Sequence, residues 1–413
     1  MSRRFPDFIR AYCDYADNGF LPPQFNLWSA LSIVAGSLER RVWLPWSDTY
    51  SFYPNIYVML VSMPGDGKSV ALNTAVSLLQ EVKSRGARLN IMPSQVTEAK
   101  FIELMGHGGT FEETVGAKVL MHRQCAGYYY ASEASNSLRN VFGEFIACLT
   151  DFYDCPSTWE RATKKDGKTI SLHNVCVNLL AGSTFDYLGK LVSDENIQGG
   201  FASRLIYVVS RNKEVGVQSF QQGGVDAVLT EERRVYREAL IEDLTQITTM
   251  AGSMQASPEF GRAWEAWYHP YEKTRRELES EKAQALLART NGNILKVAII
   301  LSAAESNDRI LKAHHWERAH ELVAANALET PRTLRVARAT SSDRNNLNIT
   351  SAVLDLVEKI PNILHDKVRS RLKVRGYNSN AVDAAVNALI GEGAIGHAKS
   401  GGLELLRDPN NYL

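Results

Sequence analysis

The chain has 413 residues, with 46 Lys plus Arg offset by 46 Asp plus Glu, and 45% of its residues are apolar against 22% charged. That balance fits one large α/β domain with a small satellite and leaves no tract with the composition of disorder. The net charge gives no sign of a polyanionic partner, so contact with nucleic acid would have to come from local basic patches.

Five cysteines (Cys13, Cys125, Cys148, Cys155 and Cys176) never form a CxxC pair. This suits buried thiols in a cytoplasmic protein and argues against a cysteine metal site. The opening residues, MSRRFPDFIRAYCDYADNGF, are broken by charges and lack the apolar stretch of a signal peptide. No run of about 18 apolar residues predicts a membrane span.

Residues 1–50 read as an N-terminal helical segment packing on a core, with Leu27, Leu31 and Val34 at helical spacing and Arg40–Leu44 a short strand. Residues 51–225 read as an α/β core. Ile56–Val61 is a continuous apolar run suited to a central parallel strand, and an amphipathic helix with Leu72, Ala75, Val76 and Leu79 on one face follows a glycine turn. Further strands are expected at Arg88–Met92, Gly127–Ala131, Val175–Ala181 and Leu205–Val209, separated by helical stretches.

Residues 226–331 read as almost entirely helical, and 332–346, rich in Arg, Ser, Thr and Asn, as a linker. In 347–413 three apolar stripes predict helices: Val353/Leu356/Val357/Ile360, Leu364/Val368/Leu372 and Val382/Ala385/Val386/Leu389. The cluster Asn378-Ser379-Asn380 caps the third, and Ala394–Ala398 with Leu403–Leu406 around a Lys-Ser-Gly-Gly turn gives a hairpin. Three helices and a hairpin resemble a winged-helix domain.

Residues 62–69, Ser-Met-Pro-Gly-Asp-Gly-Lys-Ser, lie between a buried strand and a helix and match the phosphate-loop pattern GxxxxGK[ST] except that Ser62 replaces its first glycine. Ser62, Pro64, Gly65, Asp66, Gly67, Lys68 and Ser69 would together cradle ATP. Gly65 and Gly67 let backbone amides turn inward, and the helix N-terminus faces the same anion. Lys68 would reach the β- and γ-phosphates and Ser69 would ligate Mg²⁺.

A hydrolase also needs a carboxylate at a neighbouring strand end. Tyr128-Tyr129-Tyr130-Ala131-Ser132-Glu133 supplies Glu133 as the water-activating base, with Ser132 where an Asp would complete the metal shell. At the end of Val175–Ala181, Ser183 or Thr184 serves either as a γ-phosphate sensor or as a helix N-cap. Arg204, after Gly199-Gly200, is either an arginine finger or half of a surface ion pair. Arg289, opening a helix, is a second phosphate contact.

Four residue sets, SMPGDGKS at 62–69, YYYASE at 128–133, NLLAGST at 178–184 and GGFASR at 199–204, resemble AAA+ P-loop ATPases of the helicase branch. Within it they look most like minichromosome-maintenance (MCM) proteins and the helicase-like ATPases of phages and mobile elements. The likeness covers about residues 20–330. It implies a ring, usually a hexamer, with Lys68, Ser69 and Glu133 in cis and Arg204 acting in trans on a neighbour's ATP.

The same family places a hairpin before the sensor strand, pointing into the ring channel. Trp159–Ile170 fits that position, with Asp166-Gly167 as its turn and Lys164, Lys165 and Lys168 at its tip, suited to tracking single-stranded DNA. In the terminal domain, Lys367, Arg369, Arg371 and Lys373 offer either a DNA-contacting face or a solvated, protein-docking one. The expected function is a ring-forming ATP-dependent DNA helicase or translocase serving a phage, plasmid or integrated element. Priming and loading would fall to other proteins. The alternative is an AAA+ ATPase that remodels a protein partner.

Overall fold

The computed structural model describes residues 3–405 except 18, 20, 133–143, 163–168, 186, 189–199, 211–229, 278–283, 286, 339–340, 392–394 and 399–400. The chain divides into two units, residues 1–184 with 192–327, and residues 328–413 with 185–191.

The first part of the chain gives α1 (Phe8–Ala16), α2 (Pro23–Leu38), β1 (Val42–Pro45), β2 (Ser51–Phe52), β3 (Tyr57–Val61), α3 (Lys68–Ser84) and α4 (Glu98–Gly106). Then come β4 (Thr110–Val115), β5 (Lys118–Arg123), β6 (Cys125–Ala131), α5 (Glu144–Tyr153), β7 (Thr158–Ala162), β8 (Thr169–His173), β9 (Val175–Ser183) and β10 (Leu205–Val209). They are followed by α6 (Glu231–Ile247), β11 (Gly252–Ser253), β12 (Gln255–Ala256), α7 (Pro258–Arg276), α8 (Thr290–Glu305), β13 (Ile310–Leu311) and α9 (Ala313–Arg338).

The main sheet has the order β10–β3–β9–β6 and is parallel throughout, as the continuous apolar runs predict. Tyr57–Val61 lies in register with Leu205–Val209 on one side and Leu179–Ser183 on the other. All residues of β3 and β9 are buried, because helices cover both faces. Side chains alternate across the sheet. Val58, Leu60, Leu180, Ile206 and Val208 join a core with α2, α3 and α8, while Tyr57 hydrogen-bonds the Leu149 carbonyl of α5 on the other face. Of the expected strand Arg88–Met92, only Ile91 pairs, as a parallel bridge to Tyr128.

Residues 1–50 are integral to this unit. α2 is buried on nearly every side, the pattern of a core helix and not of an amphipathic one. Proline at its first turn starts it. The chain before α1 is tied down by buried Asp243, whose carboxylate accepts the Arg4 and Phe5 amides at 2.7 and 2.9 Å. Buried Arg40 donates to the carbonyls of Cys155, Pro156 and Val175 and to the Tyr53 hydroxyl, fixing the start of β9.

Several expectations need correction. The stretch before β6 carries an antiparallel hairpin, β4–β5, where helix was expected. Thr110, Thr114, Val115 and Val119 supply β-branched residues on its two arms, and Gly116, at a φ of +62°, makes the turn. The helical region after 226 contains the short strands β11, β12 and β13, with β11 pairing with β1 and β12 with β13. Residues 332–346, read as a linker, are helical on both sides of 339–340. Arg, Leu, Val and Ala there are compatible with helix even where polarity suggested a tether.

The second unit contains α10 (Ser341–Lys359), α11 (His365–Val374), α12 (Ser379–Gly391) and the antiparallel pair β14 (Ile395–His397) and β15 (Leu403–Leu405). Ile363, before α11, adds an antiparallel bridge to Leu403. The predicted stripes close one core around Val353, Val368, Leu372, Val386 and Leu403. Leu364 is the exception: it precedes α11 and is exposed. Asn378 caps α12 as expected, accepting the amides of Asn380 and Ala381.

Gly36 of α2 presses on the Tyr128 ring of β6, and an added Cβ would lie 2.3 Å from that ring. The ring is held by a 3.0 Å hydrogen bond between its hydroxyl and Ser32. Helix propensity favours alanine by about 1 kcal/mol, but overpacking against a pinned ring costs about 1–3 kcal/mol. Gly36→Ala is therefore expected to lower the urea midpoint; a raised midpoint would show that the ring yields.

Candidate functional site

The loop between β3 and α3 is compact. Gly65 and Gly67 have φ of +93° and +78°, a region that favours glycine, and they turn the chain from the strand tip into the helix. The loop's first residue is anchored sideways, since the Ser62 amide donates to the Ser183 carbonyl at 3.4 Å. The buried Lys68 ammonium folds into the curve of the loop, donating to the Ser62 carbonyl (3.1 Å), the Ser62 hydroxyl (3.0 Å) and the Met63 carbonyl (2.7 Å).

Among the described residues, the amides of Gly65, Asp66, Gly67 and Ser69 donate to no protein acceptor. Pro64, Gly65 and Ser69 are exposed, while Asp66 and Gly67 are half-buried. Several open N–H donors at a helix N-terminus, with one ammonium among them, form an arrangement whose natural complement is an anion.

The ends of β9 and β6 border this loop. Gly182 was not singled out from sequence, yet it makes the junction fit. An added Cβ would lie 2.5 Å from the Ser132 carbonyl oxygen and 3.6 Å from the Lys68 Cβ. Only glycine lets the chain leaving β6 approach the start of α3; the small-residue run Ala181-Gly182-Ser183 was the available signal. Ser132 is half-buried beside this gap, and Glu133, the expected base, lies outside the described residues. Ser183 is buried and its hydroxyl donates to the Thr184 carbonyl at 3.0 Å, while Thr184 itself is half-buried at the end of β9.

Arg204 sits at the other end of the sheet. Leu205 pairs with Tyr57, the first residue of β3, whereas the loop follows Val61. Five residues of strand separate them by about 16 Å. Arg204 donates to the Gly200 carbonyl at 2.9 Å and to Asp154 Oδ2 at 2.6 Å. Gly200, at φ +77°, leaves room for that guanidinium: an added Cβ would lie 2.7 Å from its Nη1.

Arg289 meets the other oxygen of the same carboxylate, Asp154 Oδ1, at 2.9 Å. The ion pair that spacing left open for Arg204 therefore exists, and it brings Arg204 and Arg289 together on Asp154. Both guanidiniums lie near the Tyr153 ring, and the buried Lys296 ammonium lies 3.6 Å from its centre. None of Asp154, Tyr153 and Lys296 carries a motif.

Glu305, His314 and His315 are grouped closely enough for a metal ion. The hydrogen bonding argues otherwise. His315 Nδ1 accepts the Lys312 amide at 3.0 Å, so its Nε2 carries the proton and donates to Glu305 at 3.0 Å. A ligating imidazole needs the reverse arrangement, with the far nitrogen as donor. Burial alone would raise the Glu305 carboxyl, but hydrogen bonds from His315 and His314 hold it down at about 2. The group is a hydrogen-bonded clamp joining α8 to α9.

The DNA residues divide. The arms of the β7–β8 hairpin are formed as expected, with Trp159 opposite Leu172, while Lys164, Lys165 and Lys168 lie outside the described residues. On α11, Lys367, Arg371 and Lys373 are exposed, but Arg369 is engaged by Asp366 at 2.7 Å and Asp383 at 3.3 Å. α12 contains no Lys or Arg; its exposed positions are Asn380, Ala384, Asn387 and Ala388. Among the described residues no helix is long and apolar enough to cross a membrane.

Burial, against the pull of nearby Cys155, Cys176 and Asp154, lowers the Lys296 ammonium to about 8 from the ordinary 10.5. Between those two values the unfolded chain binds more protons than the folded one, so this group makes stability rise with pH across the window. The stability difference between wild type and Lys296→Met should therefore shift in favour of wild type from about pH 8 to about pH 10.5. A difference independent of pH, measured by urea unfolding, would contradict an ammonium that burial pushes down. No protein-family model matches the sequence, and no curated protein matches it.

Proposed function

We propose that the chain is an AAA+-type ATPase that works as a ring, with ATP held by the loop Ser62–Ser69 of one copy and approached by the Arg204–Arg289 cluster of the next. The observation that carries this reading is the group of open amides around Lys68 at the tip of a central parallel strand. On binding ATP, Lys68 would exchange the Ser62 and Met63 carbonyls for phosphate oxygens, and the open amides would take the β-phosphate. Ser69 is the exposed hydroxyl for Mg²⁺, which when bound offsets charge on the transferring phosphoryl group. Ser132 and, directly after it, Glu133 follow the strand end that borders the loop, the place for metal-shell and water-activating groups.

Two facts support an assembly over a lone ATPase. Arg204 and Arg289 lie at the sheet end away from their own loop, so a phosphate they touch belongs to another chain. Their cluster also joins three cations to one carboxylate, leaving an excess of positive charge. The order hairpin, then strand β9, supports a DNA-tracking role for Lys164, Lys165 and Lys168, with single-stranded DNA as partner and six copies in the ring.

A second reading, a remodeller of a protein partner, gains from the terminal module. A winged helix that reads duplex DNA places its second helix of the helix-turn-helix in the major groove. Here α12 brings Asn and Ala to that position, with no cation. The exposed cations sit on α11, so the module suits docking better than base readout.

Lys68→Ala should abolish ATP binding and turnover, measured by equilibrium titration and phosphate release; undiminished turnover would remove the site. Changing Lys164, Lys165 and Lys168 together to Ala should weaken single-stranded DNA binding and reduce the slope of log affinity against log salt by about 2. An unchanged slope, or ATP turnover indifferent to DNA in the wild type, would favour the protein remodeller.

A further inference from the structure

The cluster at Asp154 assigns unequal roles to its two arginines. The Arg204 side chain is only 9% exposed, and the Gly200 carbonyl holds its Nη1. The Arg289 side chain is 36% exposed. Among the described residues Asp154 is the sole hydrogen-bond partner of the Arg289 side chain. Asp154 itself is 42% exposed and divides its oxygens, one to each guanidinium.

We propose that Asp154 is a positioning residue: by bridging buried Arg204 to Arg289, it fixes the Arg289 guanidinium at the surface, where it meets the triphosphate carried by a neighbouring copy. The assignment rests on the ring reading given above. Two guanidiniums repel unless an anion lies between them, and Asp154 supplies that anion while leaving the exposed arginine with donors to spare. A pair serving stability alone would need one arginine, and Lys296 beneath Tyr153 adds a further positive charge instead of a compensating one. Arg204 is then the anchor and Arg289 the contact, the reverse of what the glycine-flanked motif at 199–204 suggests.

Subunit mixing tests this. In the full-length chain, Asp154→Ala should lower kcat for ATP by about 100-fold, the cost of a misplaced group, with KM little changed because ATP is held by another copy. Asp154→Glu should retain part of the rate. Mixed with Lys68→Ala, the Asp154→Ala chain should regain turnover, since the lesions lie on opposite sides of the interface. Mixed with Arg289→Ala it should regain none.

Wild-type kcat in both Asp154→Ala and Asp154→Asn would overturn the assignment. So would recovery of Arg289→Ala with Lys68→Ala when Asp154→Ala shows none at any ratio, for that marks a folding defect. If Asp154→Ala is insoluble, Asp154→Asn, of nearly the same shape, carries the comparison. If neither Arg204→Ala nor Arg289→Ala recovers with Lys68→Ala, the ring reading falls and the role of Asp154 falls with it. Recovery of the arginine variants alone sinks only Asp154.

Discussion

The loop end of the sheet depends on a gap one glycine wide. At position 182 the chain leaving β6 and the first turn of α3 close on β9 from two sides, and a single methyl group would press into the Ser132 carbonyl at 2.5 Å. Both neighbours at that point are main chain or the root of a side chain, so neither can rotate away. Widening the gap would draw Ser132 away from the start of α3. The spacing between the end of β6 and the start of α3 is therefore set by packing at Gly182.

A parallel sheet has two unlike ends, and this one uses both. At the carboxyl ends of the strands lie open amides and Lys68; at the amino ends lie Arg204, Arg289 and Asp154. Since the strands are short, the two sets are about 16 Å apart at opposite ends of the sheet. A single copy holds a loop of open amides and a cation cluster that do not meet. The reading of the chain as one member of a ring follows from that separation more than from any single residue. Arg40 and Asp243 serve the same geometry: one pins the start of β9, the other holds the chain before α1 against α6.

Features that depend on neighbours in the chain were legible in the sequence. The strand–loop–helix around Lys68, the apolar runs of β3, β6, β9 and β10, the cap at Asn378 and the arms of the β7–β8 hairpin all follow from local patterns. What was not legible arises from contacts distant in sequence. Asp154 gains its place only when α5, the Arg204 turn and the start of α8 converge. Arg369, one of a run of basic residues, is taken up by Asp383 from the next helix. The β4–β5 hairpin was hidden because Thr-Phe-Glu-Glu-Thr-Val offers charges as readily as β-branched residues, and its exposed strands lack the apolar alternation of a half-buried one.

Ser62 replaces the first glycine of the phosphate-loop pattern, and the loop geometry shows why this is tolerated. A glycine is required where φ is positive, and in this loop only Gly65 and Gly67 have such values. Ser62 has an ordinary backbone, continues the strand, and is buried against β9 through its amide. Its hydroxyl accepts from Lys68 at 3.0 Å and donates to the Met63 carbonyl at 3.2 Å. The side chain thus stabilises the lysine in its inward position, and an anion entering the loop must compete with three oxygens for that ammonium. The departure from the pattern leaves the cradle's shape intact and acts on the energy of its lysine.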